Sequence, residues 1–192
     1  MEPIVIADLK SRFTARSQKI KAYNTSYAVM LPKQSSRYPF IAAHRGGPLT
    51  KDQHRKLMRW ARECSAHVLP LISGNIDSRL VYALQVAKDW ESGLVPAGEA
   101  MKASLGAHAA AREASNPVSI AVARSIGQGL ATAHMADHSV GAALYALKAV
   151  KHAGKSLDEE REWQYKQLQL LPSAMMELVV STMMKKEEHF SM

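Results

Sequence analysis

The sequence predicts an all-α protein: a compact bundle of six to seven helices behind an irregular basic N-terminal arm. Three observations carry that expectation. Hydrophobic residues make up 47% of the 192-residue chain while aromatics reach only 6%, a mix that suits helices packed through small side chains and not a β-sandwich. Between residues 97 and 153, eighteen of fifty-seven positions are alanine. Apolar residues also recur three and four apart along segments that open on a capping residue and close on glycine or proline.

Residues 1–45 resist regular structure. Ile4, Val5, Ile6 and Leu9 suit a short strand or a helix equally, residues 27–31 are β-permissive, and Pro32 and Pro39 interrupt both. The turn Arg45-Gly46-Gly47-Pro48 marks a boundary, giving a basic arm over 1–45 and a single helical domain over 46–192. Thr50 with Gln53 then forms a capping box opening a helix to about His67, its stripe made by Leu57, Trp60, Ala61, Cys64 and Val68. Asp77 caps a second helix carrying Leu80, Leu84, Ala87 and Trp90, closed by Gly93 and Pro96. The Ala-rich segment divides into helices near 97–114, 117–135 and 138–152. The second of these starts on Asn116 as cap with Pro117 in the first helical position. The break near Asp137 is weaker, so the last two also read as one kinked helix. Ser156 and Glu159 form another capping box for a helix that holds Trp163 and reaches Leu170. After Pro172, Ser173 recaps a last apolar helix over Met175 to Met184, and a polar tail follows.

Composition narrows function mainly by exclusion. One cysteine, Cys64, allows no internal disulfide and no Cys-based zinc site, and fits a reducing cytoplasmic setting. The first ten residues lack the basic and apolar regions of a secretory signal, and no run of about 18 apolar residues offers a membrane span. The net charge of +8 is uneven: +6 of it lies in residues 1–45 and +2 in residues 46–192. Any contact with nucleic acid is therefore expected only through the arm. Phosphate loops, dinucleotide fingerprints, nucleophile elbows and HExxH motifs are absent. Gly127-Gln128-Gly129 lies inside a helical pattern and reads as a place where a neighbouring helix comes close.

What remains is a set of polar residues among alanines. His134 and His138 are four apart, so a helix continuing through Asp137 would place them on one stripe with Gly127, Ala131, Ala142 and Tyr145. Their default reading is as core histidines bonded to backbone carbonyls across a tight helix contact. A sharper one is a divalent metal site completed by Asp77, Asp137 or His108, and another is an organic pocket. His108 and Arg112 form a second i, i+4 pair, in which Arg112 suits a bidentate carboxylate contact, with Asp77 or Glu99 as partner. Arg124, Gln128 and Thr132 line up as a polar seam, while Arg79 beside the capping Asp77 is free to bridge to another helix. Trp60, Trp90 and Trp163 read as core anchors, and Cys64 as a buried inert thiol. The candidate binding residues are thus His108, Arg112, His134, His138, Asp77, Arg79 and Gln128, with no catalytic residue, resident metal or cofactor assigned.

These residues also form a family pattern. From Gly47-Pro48-Leu49 the chain resembles the bacterial immunity proteins of the immunity-protein-five-like family. The likeness runs through Leu57, Trp60, Cys64, His67-Val68-Leu69-Pro70-Leu71, Asp77-Ser78-Arg79 and Trp90. It continues through 107–112, the stretch 127–134, His138, Gly141-Ala142-Ala143, Tyr145 and Glu162-Trp163-Gln164. The resemblance implies an all-helical fold, a place in toxin systems and a cognate protein toxin as partner, and it brings no catalytic residue with it. Two features depart from it: the arm is longer than the pattern needs, and positive charge argues against an inhibitor that mimics nucleic acid. The reading is therefore a non-enzymatic protein that neutralises a toxin by direct association. The alternative is a helical small-molecule- or metal-binding protein, or an enzyme, using an interhelical pocket of His108, Arg112, His134 and His138. Close small-residue helices suit a homodimer as well as a monomer.

Overall fold

Capping chemistry sets where most of the helices begin. The computed structural model describes residues 37–188 and Phe190. Helix α1 (Lys51–Val68) opens on the predicted box: Thr50 Oγ1 accepts from the Gln53 N–H at 3.2 Å, and Gln53 Oε1 accepts from the Thr50 N–H at 2.9 Å. Helix α2 (Ser78–Ser92) begins where the Asp77 carboxylate accepts from the Arg79 N–H, and ends at Gly93 in the left-handed region. Helix α3 (Ala97–Glu113) starts behind Pro96. Helix α4 (Pro117–Ala131) starts from the Asn116 cap, and α5 (His138–His152) follows a short turn. Helix α6 (Leu157–Leu168) uses Ser156, whose hydroxyl accepts from the Glu159 N–H. Helix α7 (Ser173–Glu187) departs from expectation: Pro172 occupies the cap position and Ser173 is already helical, without a side-chain cap. The fold of the described residues is an all-α bundle of these seven helices.

The second departure matters more. Helix α4 was expected to reach residue 135, yet it stops at Ala131, and turns at 132–134 and 136–137 lead to the next helix. The last turn tightens, with the Ala133 and His134 N–H groups bonding three residues back to Leu130 and Ala131. The Thr132 carbonyl released in this way accepts from Nε2 of His54, a buried side chain of α1 that is only 6% exposed. A buried imidazole that needs an acceptor thus takes the carbonyl where the helix ends. Helices α4 and α5 are therefore two helices, not one kinked one.

Helix α4 lies between α3 and α5 and packs on α1 and α2, while α6 and α7 pack on α5. Its contacts are close because the facing residues are small. Ala121, Ala123, Ala142, Ala143, Ala146 and Ala149 are all buried, around fully enclosed Leu57, Met58, Ile126, Leu130, Leu144 and Leu147. Gly129 faces α1 so tightly that a Cβ there would sit 3.2 Å from Ser65 Oγ. One buried polar chain crosses this interface. Ser125 Oγ donates to the Ala142 carbonyl at 2.8 Å and lies 2.9 Å from Ser65 Oγ, linking α5, α4 and α1. Cys64 is fully buried, and that burial holds its thiol well above its usual range.

Residues 37–49 belong to the same compact unit as the helices. Two 3₁₀ turns, Tyr38–Phe40 and Ala43–Arg45, place Phe40 and Leu49 in the core, and Ala42 bridges Leu49. Gly47 is obligatory in this loop, since a Cβ would fall 2.0 Å from the Ile41 carbonyl oxygen. Most of the arm expected over 1–45, and the nucleic-acid contact assigned to it, lies outside the described residues. No helix among the described residues is long and apolar enough to cross a membrane.

Candidate functional site

Two polar pairs lie on the outer face of α3, α4 and α5 and take in three of the predicted binding residues: His108 with Arg124, and Gln128 with His138. His108 of α3 lies flat against Gly127 of α4, where a Cβ would come within 2.6 Å of the ring. Arg124, one turn earlier on α4, donates from its guanidinium to His108 Nδ1 at 3.3 Å. Gln128 reaches the other way, over Gly141 of α5, where a Cβ would sit 2.8 Å from its Oε1. That same Oε1 accepts from His138 Nδ1 at 2.7 Å. Each glycine thus lets a polar side chain from the neighbouring helix lie at backbone level. This is the close approach expected of the Gly127-Gln128-Gly129 stretch.

The proton positions follow from these partners. Accepting at Nδ1 leaves His108 with a donor at Nε2, whereas donating from Nδ1 leaves His138 with an acceptor there. Burial lowers the pKa of both rings, and for His108 the neighbouring Arg124, Arg112 and His138 lower it further. For His138 the Asp137 carboxylate opposes the effect of burial, while Lys186, Arg37 and His134 reinforce it. Near neutrality the site is therefore two neutral imidazoles and an amide set among guanidinium groups.

The other predicted residues fall elsewhere. His134 is exposed in the α4–α5 turn and shares no helical stripe with His138, because the helix it needed ends at Ala131. Its carbonyl accepts from Arg45. The core-histidine reading fails for it, and His138 bonds a side-chain amide, not a backbone carbonyl. The histidine that fits that description is His54, which the sequence reading passed over. His54 recurs three and four residues before Leu57 and Met58 on the buried stripe of α1, and that spacing was the available signal. Arg112 is exposed and grips neither expected carboxylate: Asp77 bonds Arg79 at 2.6 Å, and Glu99 bonds Lys102 at 2.8 Å. Arg79 does bridge helices, joining Asp77 to Glu113 of α3 beside a groove of about 260 Å³. Its hydrogen bonds lower the pKa of both carboxyl groups.

A further cluster was not anticipated. The buried Glu160 carboxylate accepts from His67 Nδ1 and from Gln164 Nε2, each at 2.8 Å, while His67 stacks on Trp163 at 3.8 Å. Trp60 donates to the Gln164 carbonyl from the core. Trp163 is thus a half-buried ring on a histidine and not a core anchor like Trp60. Among the described residues, no group of three or more His, Cys, Asp or Glu is arranged to hold a metal ion.

Residues 47–171 match the family described as Imm-5 like putative immunity protein. That span is well over half of the chain and takes in α1 to α6, with every residue of the polar face. The chain belongs to this immunity protein family. No curated protein and no solved structure matches it. Family membership gives the residues at Gly127 and Gly141 a setting, a helical scaffold associated with immunity, and leaves the partner to be argued from the surface.

Proposed function

We propose that the protein neutralises a cognate bacterial toxin by direct association, as a non-enzymatic cytoplasmic binding protein. The observation that carries this reading is membership of the immunity family over residues 47–171. The architecture supports it. A rigid bundle packed through alanine presents side chains that are already held: His108 by Gly127 and Arg124, Gln128 by Gly141 and His138. Groups fixed before binding lose little freedom on association. His108, Gln128 and His138 form the centre of the proposed contact surface, Arg112 and His134 its edges. Asp77 and Arg79 hold α2 to α3 and keep the scaffold in register.

The test is growth rescue. Each neighbouring gene of the source genome is induced in a host with and without the full chain. Rescue from one toxic neighbour, followed by co-purification of the two proteins, is the expected result. Toxicity without rescue, across all neighbours, overturns the reading. His138 acts electrostatically on His108, and that proximity supports a second reading, a small-molecule site on this face. It predicts rescue without a stable complex, and loss of rescue in His108→Ala.

A further inference from the structure

Charge is distributed along this chain in a way that the fold itself does not require. From residue 114 to residue 157 the sequence contains a single carboxylate, Asp137, against Arg124, Lys148, Lys151 and Lys155. Asp137 is 4% exposed and is flanked by Arg37 at 3.2 Å and Lys186 at 3.8 Å, so its charge is cancelled within the protein. Helices α4 and α5 therefore present an outer face without any exposed acid.

Several cations elsewhere are matched to carboxylates, while Lys51, Arg55, Arg59 and Lys88 are not, among the described residues. Lys56 pairs with Asp52, Arg62 with Glu91 and Glu63, Lys102 with Glu99, Arg161 with Asp158, and Lys166 with Glu162. On the outer face, where no exposed acid lies on α4 or α5, the cations have no such partner among the described residues. Arg124 bonds a neutral imidazole, Lys148 lies over the Phe190 ring, and Arg112 has no carboxylate within ion-pair distance among the described residues. The charges acting on His108 are positive: Arg124, Arg112 and His138. Helical spacing places Arg112 four residues from His108 on α3, and Lys148 in line with His138, Gly141 and Tyr145 on α5. Leu105, 63% exposed, sits one turn before His108 and adds an apolar contact to the same face.

We infer that the outer face of α3, α4 and α5, with Arg112, Arg124 and Lys148 around His108, Gln128 and His138, docks an acidic surface of the partner protein. This rests on the reading that the partner is a protein toxin. Complementarity of this kind steers encounter and rejects wrong partners, and cations left without an internal carboxylate are the ones available for it. Such a partner carries its carboxylates opposite three spaced cations, with the donor at His108 Nε2 and the acceptor at His138 Nε2 between them. The face also suits a partner approaching closely, since at Gly127 and Gly141 the polar side chains lie at backbone level.

The experiment uses the full chain and two matched triple variants. Arg112→Gln, Arg124→Gln and Lys148→Gln together remove the unmatched cations of this face. Lys56→Gln, Lys102→Gln and Lys166→Gln remove the same charge from matched positions. Binding to poly-L-glutamate is measured at low salt by fluorescence anisotropy, with duplex DNA as the second probe and a thermal melt of each variant. The face variant is expected to lose about tenfold in affinity for poly-L-glutamate, and the control about twofold or less. Equal losses in the two variants overturn the inference, as does a loss confined to DNA. If the triple face variant fails to fold, Lys148→Gln with Arg112→Gln carries the same comparison. Growth rescue then separates the two levels. A chain that rescues whether or not the face is neutralised keeps the toxin reading and overturns this surface, whereas a wild-type chain that never rescues overturns the reading itself.

Discussion

Helices α5 and α6 are neighbours in sequence and in space, and they solve the problem of charge in opposite ways. Helix α6 carries four carboxylates in twelve residues and closes three of them on nearby partners: Asp158 on Arg161, Glu162 on Lys166, and Glu160 on His67 and Gln164. Helix α5 carries none in fifteen, buries nine of its residues, and turns Lys148, His138 and Tyr145 outward. The helix rich in ions is mostly closed, while the apolar one leaves its few charges open. If the proposed face docks a partner, charge count is a poor guide to its place.

The comparison can be broken first through the core. Replacing fully buried Ile126 of α4 with alanine is expected to cost about 2–5 kcal/mol, read by urea unfolding. A loss under 1 kcal/mol would mean that α4 does not carry the packing assigned to it. Ser125→Ala removes the hydroxyl joining α4 to Ala142 and Ser65 and should cost about 1–3 kcal/mol. Ser65→Ala on top of it should add little, and full additivity would refute the shared network.

The outer face can be sharpened by Gly127→Ala. A Cβ there meets the His108 ring within 2.6–2.8 Å, so the ring must leave and its Arg124 bond breaks. The expected net cost is about 1 kcal/mol, after the helix gains from alanine. The same substitution in a His108→Ala background should be neutral or stabilising. A cycle without coupling would show that the two residues do not touch.

Acid gives a gentler slope. Burial is the main cause that lowers the pKa values of His54, His108 and His138 below the ordinary 6.5. The unfolded chain therefore binds protons that the folded chain resists as the pH falls below 6.5. Stability is complete above that value and declines as the pH drops through the window beneath it. Denaturant midpoints at several pH values between about 7.5 and 5 test this, and His54→Gln should flatten part of the slope. An unchanged midpoint would contradict buried neutral imidazoles. The smallest effect belongs to α6: Lys166→Ala should change stability by less than about 0.5 kcal/mol, since its partner Glu162 is itself half exposed.

Local chemistry was the legible part of the sequence. Thr50 with Gln53, Asp77, Asn116 with Pro117, and Ser156 each announce a helix start through bonds made within three residues, and the structure forms those bonds. The end of α4 was not legible. It coincides with a bond from His54, more than seventy residues away, a contact that no local pattern displays. The site divides along the same line. His108, Gln128 and His138 stand out as polar groups among alanines, and each is held by a bond across the α3–α5 layer, Gln128 to His138 and His108 to Arg124. Arg112 was assigned the wrong partners because Arg79, nearer in sequence to Asp77, reaches that carboxylate first. The His67–Glu160 pair was hidden by a separation of 93 residues.

The lone thiol has a practical consequence. Cys64 is the chain's one cysteine, fully enclosed and held in its protonated form. In the native state it is silent toward alkylating reagents, so its labelling rate reports how often α1 swings away from the bundle. The wild-type chain is therefore an unblemished background for chemical mapping. A cysteine introduced at Leu105 would be the sole reactive handle on the molecule, ready to carry a photo-crosslinker onto whatever settles against the α3–α5 face.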